Sequence, residues 1–70
     1  MTEVDIVTLE DGKDYYIMKE KKLDGISYLY LVNEDKEIAI RKIETINHVD
    51  MIVTLDTDEE FNKVVEAFQN

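Results

Sequence analysis

Turn-forming residues recur at short intervals along this chain of 70 residues, from its start to Leu55. Each interval between two turns holds one apolar segment that is long enough for a strand and too short for a strand plus a helix. Parallel strands need connections of about a dozen residues or more, whereas hairpins need only a few. The spacing therefore predicts an antiparallel meander. Its predicted turns are Glu10–Lys13, Leu23–Gly25, Asn33–Lys36 and Asn47–Asp50.

Five apolar or alternating segments are the predicted strands of this meander. They run over Val4–Leu9, Asp14–Lys22, Ile26–Val32, Glu37–Ile46 and Met51–Leu55, and the second is wholly polar from Lys19 onward, so that end is expected to be solvated. In the fourth segment Ile38 and Ile40 share a parity that Ile43 does not. A β-bulge or bend between Arg41 and Lys42 would keep both sets buried, so one is predicted there.

The third strand is apolar on both of its faces. Because successive side chains alternate, Tyr28, Tyr30 and Val32 lie on one face. Leu29 and Leu31 lie on the other. One short helix covers a single face, so the other face needs either curling of the sheet toward a partial barrel or contact with another chain. The candidate partner-binding residues are Tyr28, Tyr30 and Val32, or whichever parity the helix leaves uncovered.

The chain changes its hydrophobic period after Leu55. Apolar residues then recur with the spacing of one helical stripe, which consists of Phe61, Val64, Val65 and Phe68. Thr57 is the predicted N-cap, and Glu60 is its capping-box partner three residues later. Residues 1–70 are thus predicted to form a single α+β domain. In it, an antiparallel sheet of four to five strands carries one C-terminal amphipathic helix on one face.

The charge of the chain restricts its partners. Seventeen acidic residues against eight basic ones give a net charge of −9. This charge repels phosphate backbones and anionic lipids, so neither nucleic acid nor a membrane is an expected partner. It serves solubility, and it is also compatible with a basic protein partner. The chain has no cysteine, no basic leader at Met1 and no long apolar run, so a cytoplasmic location is expected.

The sequence contains no motif for catalysis, for a cofactor or for a metal. His48 is the only histidine and falls in a predicted turn, and Ser27 is the only serine and lies within a strand. The acidic run Asp56–Glu60 lacks the glycine and the bidentate acid of a calcium loop, and helix capping explains it. The sequence therefore predicts no enzyme.

A resemblance to a known family follows from three features of the chain. They are an acidic first strand, a tyrosine-rich central hairpin that ends in Leu31 and Val32, and the acid-acid-Phe-x-x-Val-Val-x-x-Phe pattern of Glu59–Phe68. In these the chain resembles the YrzB-like family of small acidic bacterial proteins, a domain of unknown function. It carries more lysine in its second strand than that family does, and it lacks long acidic tracts. The resemblance implies a cytoplasmic bacterial protein and transfers no site residues.

Three hypotheses of function follow. The leading one is a non-catalytic protein-interaction module that binds another protein or a second copy through a surplus apolar face. The alternative is a phage- or defence-related inhibitor whose carboxylates imitate nucleic acid. An enzyme is the weakest hypothesis, because it would need His48, Asp50 or the acids around Thr57 to meet in a cleft.

Overall fold

The computed structural model describes residues 5–69, which form one antiparallel sheet and one helix. The elements are β1 (Ile6–Thr8), β2 (Asp14–Leu23), β3 (Ile26–Asn33), β4 (Ile38–Ile46), β5 (Val49–Val53) and α1 (Asp58–Gln69). The strands lie in the order β1-β2-β3-β4-β5, and each pairs with its sequence neighbour. The sheet curls into a half-barrel. The meander and its C-terminal helix are thus confirmed, while Val4, the predicted start of the first strand, lies outside the described residues.

Two of the hairpins turn through two consecutive residues with positive φ. Asp24 and Gly25 have φ of 50° and 81°, and Asn47 and His48 have φ of 52° and 67°. Two-residue turns of this kind match the twist of the strands that they join. The β4–β5 turn needs only Asn47 and His48. β5 therefore begins at Val49, two residues before the predicted start of this strand at Met51.

The predicted bulge in the fourth strand is wrong. The pairing of β3 with β4 runs without interruption through Leu29↔Arg41 and Tyr28↔Lys42. The only shift in the β2–β3 register lies instead between Ile17 and Lys19. The change of parity at Ile43 needs no bulge, because both faces of the sheet carry a core.

The first core lies on the face of the sheet opposite the helix, which we call the far face. Its side chains come from strands and from the β1–β2 turn, and the buried ones are Leu9, Tyr15, Leu29, Leu31 and Ala39. Leu31 is 0% exposed, although no helix of residues 5–69 covers it. Nη2 of Arg41 on β4 donates to Oε1 of Glu10 in that turn, at 2.6 Å. Curling of the sheet therefore covers the far face within one chain.

The second core lies between the sheet and α1, on the helix face. Val64 is completely buried there against Tyr28 and Ile40. The ring of Phe68 packs on Tyr30, with centroids 5.7 Å apart and ring planes at 59°. Phe61 departs from the predicted buried stripe, since it is 45% exposed. It lies at the edge of the stripe, where the helix overhangs an uncovered part of the sheet.

Candidate interaction surface

A buried polar network fixes the N-terminal end of α1 to the sheet. Nζ of Lys42 donates to Oδ2 of Asp56 at 2.8 Å and lies 3.4 Å from Oε2 of Glu60. The hydroxyl of Tyr28 donates to the same oxygen of Glu60 at 2.7 Å. The predicted cap is confirmed, because the amide of Glu60 donates to Oγ1 of Thr57 at 3.1 Å. The carboxylate of Glu60 in turn accepts from the amide of Asp56, one residue before the expected partner.

The network shifts the ionisation of its members. Burial, and then the hydrogen bond to Glu60, raise the pKa of Tyr28 to about 12. The bond from the Asp56 amide, followed by the bond from Tyr28, lowers the pKa of Glu60. The hydrogen bond to Asp56 raises the pKa of Lys42. At neutral pH the network therefore holds a neutral tyrosine, a carboxylate and an ammonium, which satisfy one another.

Lysines also hold the rest of the helix to the sheet. Nζ of Lys21 on β2 donates to the carbonyl oxygen of Ala67 in the last turn, at 2.9 Å. Such a contact satisfies a carbonyl that has no partner within the helix. Nζ of Lys63 donates to Oδ2 of Asp24 in the β2–β3 turn, at 2.6 Å. These contacts place α1 over the half of the helix face that adjoins this turn.

The other half of the helix face carries an apolar row that α1 does not cover, which we call the open row. The strand register places Ile6 opposite Tyr16, Tyr16 opposite Val32, and Val32 opposite Ile38. The row therefore contains one apolar side chain from each of the first four strands. Ile6 is 57% exposed and Ile38 is 58% exposed. Its centre, Tyr16 and Val32, is half-buried.

A groove of about 610 Å³ separates the open row from α1. Tyr30 and Ile40 come from the central strands, and Phe61, Val65 and Phe68 come from the helix. The full lining is Met18, Lys19, Tyr30, Ile38, Ile40, Phe61, Val65, Phe68 and Gln69. The open row and this groove form one continuous surface through Ile38, which we call the apolar surface.

Acidic turns border the open row on the side away from the helix. The β1–β2 and β3–β4 turns both follow directly on strand residues of the row. With Asp14 at the start of β2, they carry six carboxylates and two lysines: Glu10, Asp11, Asp14, Glu34, Asp35 and Glu37, with Lys13 and Lys36. Nζ of Lys13 joins the two turns through an ion pair of 2.7 Å with Glu37. We call these turns the acidic border.

The three candidate partner-binding residues have different positions. Tyr28 is buried beneath α1 and contributes no accessible surface. Tyr30 is half-buried in the groove, and Val32 is half-buried in the open row. Sequence reasoning missed Met18, because its exposure follows from an unpredicted irregularity of β2. It also placed Ile38 among the buried residues, although the alternation of the strand gave the correct face.

The candidate chemical residues lie in two places: Asp56, Thr57 and Asp58 line a cavity of about 480 Å³, whereas His48 and Asp50 are at the β4–β5 hairpin. His48 is exposed at the β4–β5 turn, and the carboxylate of Asp50 accepts from the hydroxyl of Thr45 at 2.7 Å. Within residues 5–69, no group of histidine and acidic side chains is arranged to hold a metal ion. In the same residues, no helix has the length and apolar character that a membrane crossing needs.

These features define a small α+β protein in which one helix covers half of one sheet face and leaves an apolar surface beside it. The chain is 32% identical to a UPF0473 protein of Clostridium botulinum (strain Loch Maree / Type A3), over 94% of this chain and 87% of that protein. A UPF0473 protein of strain 657 / Type Ba4 is also 32% identical, over 94% of this chain and 88% of the relative. The chain therefore belongs to the UPF0473 family, an uncharacterised bacterial family.

Two further comparisons gave no match. No family model matches the chain. No solved structure matches it either.

Proposed function

We propose that this protein is a non-catalytic, cytoplasmic protein-interaction module that binds its partner through the apolar surface. The observation that carries the proposal is the open row, in which Ile6 and Ile38 are more than half exposed, whereas the other face of the sheet buries its own apolar core. Contiguous exposed apolar patches on small proteins are frequently binding sites. The partner is another protein or a second copy. We also propose that the chain is related to the YrzB-like proteins that its sequence resembles, beyond its relation to the UPF0473 proteins.

The test compares two matched variants, Ile38→Asp and Val49→Asp. Ile38 and Val49 are each the first residue of a strand, lie on the same sheet face, and are 58% and 60% exposed. Only Ile38 belongs to the apolar surface. Circular dichroism of both variants should match the wild type, because neither residue is in a core.

Affinity capture from the native cell, together with light scattering of the pure protein, provides the measurement. We expect a partner, or a dimer, that the wild type and Val49→Asp retain and that Ile38→Asp loses. Equal retention by all three proteins would exclude the apolar surface as the binding site. If only Val49→Asp lost the partner or the dimer, the binding site would instead lie at the tip of the β4–β5 hairpin.

The acidic border favours a second candidate, a phage- or defence-related inhibitor that imitates nucleic acid. Five carboxylates in two adjacent turns, with Asp14 beside them in β2, present a dense negative charge. The ion pair between Lys13 and Glu37 interrupts that charge, which makes this the weaker candidate. Its test is competition: an inhibitor of this kind should displace DNA from a DNA-binding protein of the same cell, and Glu34→Gln/Asp35→Asn should displace less. Failure to displace DNA would exclude the inhibitor, and the interaction module would be the one remaining candidate function.

A further inference from the structure

We infer that the partner of the apolar surface is a basic amphipathic helix of another protein. This inference rests on the proposed function and adds the chemistry of the ligand. Two features carry it: the shape and lining of the groove beside α1, and the charge of the turns that border the open row. Each feature restricts the partner in a different way.

The lining of the groove suits the apolar face of a helix. Such a helix presents large side chains at positions i, i+3, i+4 and i+7, and it binds where a groove accepts that stripe. Here aromatic rings of α1 lie along one side, and Met18 and Ile38 lie along the other. Methionine adapts to ligands of different shape, because its side chain is unbranched and polarisable. The open row extends this lining from Ile38 across to Ile6.

The charge around the apolar surface selects the polar face of that helix. Ion pairs with Arg41 and Lys13 neutralise Glu10 and Glu37 in the acidic border, which leaves four carboxylates there: Asp11, Asp14, Glu34 and Asp35. Among the described residues, the groove itself is lined by one charged side chain, Lys19, and the first-turn acids Glu59 and Glu60 line a different pocket beside Lys63. A ligand that extends from the groove across the open row thus lies beside one acidic segment, and lysine or arginine on the side that faces this border gains favourable electrostatic energy.

The same charge argues against a second copy as the occupant. Each copy has a net charge of −9, so a symmetric pair through the open row would bring like charge together. The acidic border of one copy would approach another acidic chain without compensation. A basic partner would be attracted electrostatically to the acidic border, whereas a second copy would be repelled by it.

The experiment measures fluorescence anisotropy of three labelled peptides of about 18 residues, a length that supports helix formation. The first has an apolar stripe and a lysine-rich polar face. The second has the same stripe with a neutral polar face, and the third is a scramble of the first that keeps its charge and loses the stripe. Each is titrated with the wild type, Ile38→Asp, Val49→Asp and Glu34→Gln/Asp35→Asn.

We expect the first peptide to bind the wild type and Val49→Asp equally and to bind Ile38→Asp at least about tenfold more weakly, as truncation of a central contact does. The double variant Glu34→Gln/Asp35→Asn should bind the first peptide more weakly than the wild type does and should bind the second peptide equally well. Added salt should reduce the binding affinity of the first peptide more than that of the others. Equal binding of the scramble or of the neutral peptide would overturn the inference, as would binding that Ile38→Asp does not affect.

Failure of the inference is distinguishable from failure of the proposed function. If no peptide binds but Ile38→Asp still loses the captured partner, the module stands and its ligand is not a basic helix. If light scattering shows a dimer that Ile38→Asp dissociates, the occupant is a second copy. If no peptide binds and Ile38→Asp behaves as the wild type throughout, both proposals are wrong.

Discussion

The hydroxyl of Tyr28 and Oε2 of Glu60 lie 2.7 Å apart, and this hydrogen bond joins the middle of the sheet to the first turn of the helix. Nζ of Lys42 approaches the same carboxylate oxygen at 3.4 Å. The half-buried carboxylate of Glu60 is held by these two donors, which helps to fix where α1 crosses the sheet. The position of the helix then decides which half of the face stays open.

Removing the hydroxyl of Tyr28 should destabilise the fold. In Tyr28→Phe the carboxylate of Glu60 loses one donor while the ring keeps its packing, so we expect a loss of about 1 kcal/mol in the free energy of unfolding. Urea denaturation measures it. Tyr16→Phe is the control, because its hydroxyl makes no hydrogen bond within residues 5–69, and its change should be smaller. Equal changes in the two variants would show that the bond to Glu60 contributes nothing to stability.

The alkaline titration of Tyr28 should be displaced. Its pKa is raised to about 12 from an ordinary value of 10.0, so the folded state favours the neutral phenol. The corresponding stability is fully present below pH 10 and is lost as the pH rises toward 12. Tyrosinate absorbance should therefore contain a late component that Tyr28→Phe lacks. A titration that is unchanged by this substitution would contradict the assignment.

Acid should destabilise the protein partly through Glu60. Its pKa in the folded protein lies below the ordinary value of 4.5, so the folded state holds the proton less tightly than the unfolded state does. The resulting stability is present above about pH 4.5 and is lost as the pH falls through the lowered pKa. Urea midpoints measured over this range should fall less steeply for Glu60→Gln. Glu59→Gln, in the same helical turn, is the control variant for this comparison.

The far-face core should behave as a true interior. Leu31 is 0% exposed, so Leu31→Ala should cost about 3 kcal/mol through lost burial and a cavity. Ile52→Ala on the same face is the control, because Ile52 is exposed and its truncation should cost well under about 1 kcal/mol. Chemical denaturation measures both. A small cost for Leu31→Ala would mean that curling leaves the far face accessible.

The two phenylalanines of α1 should differ in their effect on stability. Phe68 packs on the ring of Tyr30, so Phe68→Ala should cost about 2 kcal/mol. Phe61 is exposed on the groove, and Phe61→Ala should change stability by about 0.5 kcal/mol or less. Thermal unfolding of the two variants gives the comparison. If Phe61→Ala were the costlier change, the groove would be closed in solution.

Local signals sufficed for most of the fold. The pair Asp24 and Gly25 supports positive φ with little strain, so the central hairpin was predictable from two residues. Thr57 and Glu60 likewise marked the start of the helix. The bulge was predicted in the wrong strand because a change of apolar parity has two causes: a bulge, or a sheet with a core on each face. Only the tertiary structure separates them.

The candidate site was less predictable, because it depends on where the helix lies. Alternation placed Tyr28, Tyr30 and Val32 on one face correctly. It could not show that Lys42 and Glu60 would draw the helix over Tyr28 and leave Val32 uncovered, since those contacts join residues far apart in sequence. Burial on a half-covered sheet is decided by position along the strand as well as by face.

The open row also sets how the protein must be handled. At neutral pH the charge of −9 keeps copies apart even though each has an apolar strip exposed to water. Near pH 4.3 the net charge disappears, and nothing then opposes contact between these strips. Solubility should pass through a minimum there, and Ile38→Asp should raise that minimum. Storage well above this pH follows directly from the geometry of one uncovered row of side chains.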